Sequence, residues 1–316
     1  ILNMRSVREY ERNAALVNQS EQELALAEAQ LLGALVQAYL SVLLADEEVN
    51  QFEVELSALR RQLAEAEALY DKSLIPVTQV LETQARVDSL EADLVSVKGQ
   101  AALAYEKLVQ QVGVRGVTLR PVSDRVGLYS EYASAESAAA RAVMLDPASG
   151  AAEEAVNAAR KGVDREKGSW WPEVDFVYNS QYSDVGFDNL TSPPRSTQSY
   201  SISVRYPLFE GGAGSARLRG AWAEFYTAQQ QLEATKRQAD SRARAAWVNL
   251  QTADERVLAA RQAAKTAEVN LDASQKAVRA GTARVTDTLL ALAQNTRAQR
   301  DLIEARFLRA IGWLEL

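Results

Sequence analysis

Two stretches without a helix breaker constrain this chain more than anything else in it. From about Ser6 to Leu69 there is no proline and one glycine, Gly33; from about Gly214 to Arg279 only Gly220 interrupts. At 1.5 Å per residue they predict helices of roughly 90 and 100 Å. Helices this long need a partner along their length, so a coiled-coil-like packing is expected. Each stretch ends in a related segment. The first is Lys72-Ser73-Leu74-Ile75-Pro76-Val77-Thr78-Gln79-Val80-Leu81 and the second Ala280-Gly281-Thr282-Ala283-Arg284-Val285-Thr286-Asp287-Thr288-Leu289. They match at Val77/Val285, Thr78/Thr286 and Leu81/Leu289. Each therefore reads as the bend of a long helical hairpin, and two bends indicate a duplicated design.

The seams agree. Leu56, Leu59, Leu63, Ala66 and Tyr70 keep a 3–4 spacing before the first bend. Pro76 cannot continue a helix, and Thr78 is the expected N-cap of the return. The return helix, about Thr78–Gln111, carries Val87, Leu90, Leu94, Val97, Ala101, Ala104 and Leu108, and Gly113 and Gly116 end it. The segment Val114–Ser130 reads as irregular or partly extended. A short helix is expected over Glu131–Leu145, a loop over Asp146–Gly150 and a helix over Ala151–Lys167. The second long helix has its seam at Leu250, Ala253, Val257, Ala260, Ala264, Ala267, Leu271, Ser274 and Val278, and Val285–Leu314 returns from it.

Only one region alternates like a sheet. In Pro172–Ser183, Val174, Phe176, Tyr178 and Tyr182 share a face; in Ser199–Leu208, Tyr200, Ile202, Val204, Tyr206 and Leu208 do. The opposite faces are mostly polar. Strands of this length cross a bilayer when tilted. A polar loop over Asp184–Gln198 joins them; Asn189-Leu190-Thr191 inside it matches a glycosylation acceptor but reads as ordinary loop. Trp170, Trp171 and Phe209 flank the pair where an interfacial aromatic girdle would lie. An isolated hairpin is marginal in water, whereas closure into a barrel removes its edges. Those nine apolar positions are therefore expected to face lipid.

Composition narrows the chemistry. The 316 residues contain no cysteine and no histidine, and the net charge is −7. Disulfides, thiolate chemistry and the commonest general base are unavailable. The acidic balance argues against nucleic acid as a partner. No phosphate-cradling glycine loop and no G-x-S-x-G stands in the sequence, so no catalytic, cofactor or metal site is expected. No unbroken run of 18 apolar residues occurs, so no transmembrane helix is expected.

Compared half to half, the second reads helix, strand, strand, long helix, bend, return helix; the first has only the last three. A duplicated protein is expected to carry a further helix and strand pair ahead of Ile1, with Ile1-Leu2-Asn3 in the place of Leu208-Phe209-Glu210.

In this order and spacing, Tyr206-Pro207-Leu208-Phe209-Glu210-Gly211-Gly212, the run Arg279-Ala280-Gly281-Thr282 through Val285-Thr286-Asp287-Thr288-Leu289, the first bend and Trp171-Pro172 resemble the TolC-like outer-membrane efflux protein family. The resemblance spans essentially the whole chain. It implies a mainly α fold with a small β part, in which helical hairpins form a trimeric α-barrel through the periplasm and β-hairpins a shared transmembrane barrel. It divides the chain into a first helical hairpin (1–112), an equatorial segment (113–150), a helix leading to the barrel (151–169), the outer-membrane hairpin (170–212) and a second helical hairpin (213–316). It implies a passive exit duct of an efflux or type I secretion system, working as a homotrimer in outer-membrane lipid. A periplasmic adaptor and an inner-membrane pump would dock at the bends. Lys72, Ser73, Leu74, Arg279, Gly281 and Thr282 are then the adaptor-contact candidates, and Asp287 and Gln79 occupy the gate positions. The family pattern prefers glycine where Ser73 stands and acidic residues where Gln79 and Leu290 stand, so a differently shaped first bend and a single acidic ring from Asp287 are expected. The plainer alternative for Asp287 is a first-turn carboxylate favoured by the helix dipole, and for the six bend residues a chain reversal and nothing more. The rival from another class is a soluble periplasmic adaptor or coiled-coil scaffold; a filament protein is a third.

Overall fold

A computed structural model describes residues 3–120, 134–185 and 191–316. Among them are six helices and two strands: α1 Met4–Asp71, α2 Val77–Val112, α3 Ala135–Leu145, α4 Pro147–Gly168, β1 Glu173–Val185, β2 Thr191–Arg205, α5 Ala213–Arg279 and α6 Val285–Glu315. Contacts divide the chain into two compact units, Ile1–Ala27 with Arg141–Asp240, and Glu28–Ala140 with Ser241–Leu316.

In the second unit two helical hairpins share one core. Leu56 and Leu59 of α1, Val87, Leu90 and Leu94 of α2, and Leu289 and Leu292 of α6 are buried together, with Leu63 and Leu271 packed at their edge. Val257 and Ala264 of α5 meet Leu302 and Ala305 of α6. Small residues let α5 and α6 approach closely, and a Cβ on Gly312 would lie 3.5 Å from the Leu250 backbone. Val97, Ala101 and Ala104 are half-buried, as a seam should be. Tyr70 is not in it: the ring is exposed and Leu69 takes the half-buried place, because the helix ends one residue later and its last turn opens into the bend.

In the first unit α4 lies antiparallel to the start of α1. Lys161 pairs with Glu11 at 3.1 Å and Arg165 with Glu9 at 3.0 Å. The start of α5 also runs antiparallel to α4, through Lys236–Glu153 at 2.8 Å. The loop expected over Asp146–Gly150 is instead the start of α4. Asp146 is its N-cap, accepting from Ala148 N at 3.3 Å and Ser149 N at 3.1 Å, and Pro147 occupies the first turn. An Asp-Pro pair is a strong start signal, since proline loses no bond there and the carboxylate satisfies free amides. The short helix before it covers Ala135–Leu145; the rest of its expected range, 131–133, and most of the irregular segment, 121–130, lie outside the described residues.

The strands pair antiparallel with Phe176 opposite Ile202 and Tyr178 opposite Tyr200. They reach further toward the tip than expected and stop sooner at the base. β2 begins at Thr191, well inside the expected loop, of which 186–190 lie outside the described residues. It ends at Arg205, so Tyr206 and Leu208 follow the strand rather than belong to it. Pro207 has no N–H to donate to a ladder, which accounts for the early end.

No transmembrane helix is expected from the sequence; by length and composition alone, one 18-residue window of α1 is apolar enough to cross a membrane, with mean hydropathy 1.4 and 11% of it buried. Along α1, Tyr10, Val17, Leu24 and Leu31 recur every seven residues and all are exposed. A seven-residue repeat is the spacing of a helix–helix seam.

Candidate functional site

The two bends are one turn made twice. Five residues separate α1 from α2, and five separate α5 from α6. Ser73 and Gly281 occupy the same place, with φ of 60° and 74°. Ser73 N donates to Tyr70 O (2.7 Å) and Leu74 N to Leu69 O (2.9 Å); Gly281 N donates to Val278 O (2.9 Å) and Thr282 N to Ala277 O (3.0 Å). This double bond closes a helix through one left-handed residue. Pro76 and Arg284 then return the chain to extended backbone, with ψ of 152° and 155°, before the next helix.

Two expectations are corrected here. The first bend is not shaped differently for want of glycine, because Ser73 adopts the left-handed conformation that Gly281 adopts. Thr78 is not the N-cap of the return helix: α2 starts at Val77 behind Pro76, and no side chain caps it. An L-residue in the left-handed region costs about 1 kcal/mol. Ser73→Gly is therefore expected to stabilise the second unit by about 0.5 kcal/mol, part of the gain being lost to the freer unfolded chain. Gly281→Ala should destabilise it by about 1 kcal/mol. Denaturant melts of the purified protein check both signs.

The six bend residues Lys72, Ser73, Leu74, Arg279, Gly281 and Thr282 are all exposed, and Leu74 keeps 67% of its surface. The Thr282 hydroxyl donates to Ala277 O at 3.1 Å, so it also helps to close the helix end. Asp287 is exposed, and its Oδ2 accepts from Arg284 N at 3.0 Å. The helix-start role is thus realised. Gln79, its counterpart, is half-buried, and its Oε1 meets no protein donor. Leu290 is exposed.

Beside the bends, a cavity of about 410 Å³ opens between α1 (Arg61, Gln62, Glu65), α5 (Gln275, Arg279) and α6 (Thr288). Gln62 Oε1 and Thr288 Oγ1 are buried there without a protein partner. A polar space of this size takes water, which would satisfy both atoms. Further from the bends, Arg300 of α6 reaches Glu55 of α1 at 3.0 Å. Neither this contact nor the cavity was legible from spacing, since both depend on which helix faces set against each other.

At the other end of the sequence pattern, the apolar face of the hairpin is bare. Phe176, Tyr178, Tyr182, Tyr200, Ile202 and Val204 are exposed, Val174 is half-buried, and Tyr206 and Leu208 are exposed beyond the strand. Tyr178 and Tyr200 touch across the strands at 4.9 Å between ring centroids. Trp170, Trp171 and Phe209 are exposed at the base. Among the described residues no cluster of acidic side chains could hold a metal ion.

The sequence profile described as "Outer membrane efflux protein" matches residues 139–316. The chain is 24% identical over 304 residues to the outer membrane protein TolC of Vibrio cholerae, covering 94% of this chain and 69% of the relative. It is 25% identical over 293 residues to the proteases secretion protein PrtF of Dickeya chrysanthemi, covering 90% and 63%. The chain thus spans about two thirds of the length of these relatives. The fold is that of the Neisseria gonorrhoeae MtrE outer membrane channel in its open state, with a TM-score of 0.82 over 98% of this chain and 70% of that one, at 16% identity. A paired bend, a bare apolar hairpin and a matched profile point the same way: the chain is a TolC-like member of the outer membrane efflux protein family, mainly helical with a small β part.

Proposed function

We propose that this chain is a protomer of a passive exit duct in the Gram-negative outer membrane, serving an efflux or type I secretion system. The observation that carries the reading is the two-stranded hairpin whose apolar and aromatic face is bare while long helices leave its base. Such a face is stable in lipid, and only a closed barrel satisfies the strand edges there. Transmembrane barrels need at least about eight strands, so even with a second strand pair several copies would contribute. The heptad-spaced apolar residues on α1 supply a surface for a neighbouring copy, and a homotrimer is the assembly that suits the family.

The six exposed bend residues are the proposed contact for a periplasmic adaptor, through which an inner-membrane pump would supply the energy. Asp287 from each copy would ring the periplasmic mouth, with Gln79 beside it at the matching place in the first bend. The soluble adaptor or scaffold reading is not favoured, because it leaves the hairpin face without a solvent that suits it.

The test is reconstitution of the full-length protein into planar lipid bilayers. Stable insertion only from detergent, with discrete conductance steps, is expected. A protein that stays monodisperse without detergent and adds no conductance would overturn the reading. In the same bilayers, Asp287→Ala should raise the conductance and weaken cation preference; unchanged values would leave Asp287 with its helix-start role alone.

A further inference from the structure

Among the described residues, the buried threonines are Thr83 on α2 and Thr288 and Thr296 on α6. Two of them use the ordinary outlet for a hydroxyl inside a helix, the carbonyl one turn back. Thr83 donates to Gln79 O at 2.8 Å and Thr296 to Leu292 O at 2.9 Å. Thr288 does not. Its side chain keeps 4% of its surface, and its Oγ1 is buried without a protein partner. Thr288 belongs to the wall of the cavity of about 410 Å³ between α1, α5 and α6, and so does Gln62, whose Oε1 is also buried and unpartnered.

The rest of that wall has a second polarity. Arg61 of α1 and Arg279 of α5 line the cavity, and both are exposed, so they stand at its mouth while Thr288 lies at its floor. Neither guanidinium has an ion pair among the described residues. Arg279 is the last residue of α5, where the helix dipole favours a cation anyway. Arg61 lies inside α1 and has no such reason. Between mouth and floor the wall is apolar, with Leu69, Val278 and Leu292.

We propose that this cavity is a binding site for a small organic anion with a hydroxyl at its far end, the class of the aromatic hydroxyacids. Its volume lies within the range of about 300–1,000 Å³ usual for small-molecule pockets. A carboxylate suits the two arginine forks, which pair with planar oxyanions. Glu65 shares the mouth, leaving one net positive charge to select an anion. A flat ring covers the apolar wall at little cost in conformational freedom. The far end must bring a donor, because Gln62 Oε1 only accepts, and a hydroxyl can serve it and Thr288 together. An ammonium there would meet neutral oxygens and lose more hydration than they return. The site goes beyond the duct reading, and silence in planar bilayers would leave it standing.

The experiment is isothermal titration of the full-length, detergent-solubilised protein with 4-hydroxybenzoate, benzoate and inorganic phosphate. One 4-hydroxybenzoate per protomer is expected, bound about fivefold more tightly than benzoate, which leaves the floor atoms unpaired. Arg61→Met should weaken it about tenfold, the effect of one charged hydrogen bond. Thr288→Val keeps the side-chain shape and should erase the preference for 4-hydroxybenzoate over benzoate. Thermal melts establish that both variants are folded, and the wild-type ratio of the two ligands tests the floor without any variant. No binding at millimolar concentration, or equal binding of the two ligands by the wild type, would overturn the site. Phosphate that displaces 4-hydroxybenzoate as well as benzoate does would show that only the exposed arginines bind, and would overturn it too.

Discussion

Ile202→Arg is expected to abolish stable insertion into the outer membrane while leaving the helical part folded. Ile202 sits in the middle of β2 opposite Phe176, with 73% of its surface bare. Both neighbours on its face, Tyr200 and Val204, are also exposed. A cation at this depth on a lipid-facing strand costs about 2–4 kcal/mol. In a barrel built from identical copies the cost recurs in every protomer, so three copies would lose about 6–12 kcal/mol. Ser201→Arg, one residue away on the opposite face, should be tolerated, because successive side chains point to opposite sides of a sheet. The measurement is the membrane-inserted fraction, read by fractionation and by resistance of the assembled oligomer to denaturing detergent. Equal behaviour of the two variants would mean that the hairpin does not have one face in lipid and one in water.

The alternation behind that expectation is legible in the sequence, because period-2 alternation is a local property. The bends were legible for the same reason: Pro76, Gly281 and the repeated Val-Thr pair punctuate otherwise unbroken helical sequence. What misled was substitution within a preserved geometry. Ser73 holds a left-handed conformation that serine seldom takes, because two backbone bonds and the flanking helices fix it from both sides. Thr78 resembled a cap, yet the extended Pro76 already occupies the position before the helix. The strand ends were misjudged by reading Tyr206 and Leu208 as further alternation, when Pro207 between them withholds a ladder donor. Contacts between distant helices left no trace in spacing at all. Glu55 reads as one more solvated carboxylate on a long helix, and only the packing of α6 against α1 buries it.

Glu166→Ala is expected to destabilise the first unit by about 1–3 kcal/mol, the cost of removing charged hydrogen bonds whose arginine partners keep some solvent. Glu166 is near the end of α4 and only 3% exposed. Its Oε1 receives Arg165 twice, from Nη2 at 2.6 Å and Nε at 3.0 Å, and lies 3.7 Å from Arg5 of α1. Its Oε2 lies 3.5 Å from Nε of Arg217 on α5. One carboxylate thus answers three guanidinium groups from three helices, at the level where the chain leaves α4 for the hairpin. The surroundings leave little room to adapt. A Cβ on Gly168, two residues on, would stand 3.2 Å from the backbone of Met4 and Arg5. Arg217 keeps Glu210 when Glu166 is lost, and Arg165 keeps Glu9, so neither is wholly stranded. Arg5 has no other ion pair among the described residues, which makes it the side chain most exposed to the loss. Glu166→Gln keeps the shape and can still accept a hydrogen bond, so it should cost about half as much. Because β1 starts five residues after α4 ends, loosening this cluster should also misplace the strand base. The Ala variant should therefore lose oligomer thermal stability and slow insertion together, while Asp164→Ala, nearby but half-exposed, changes neither. If Glu166→Ala melts like the wild type, the three arginines are held by solvent and the helix ends by packing alone.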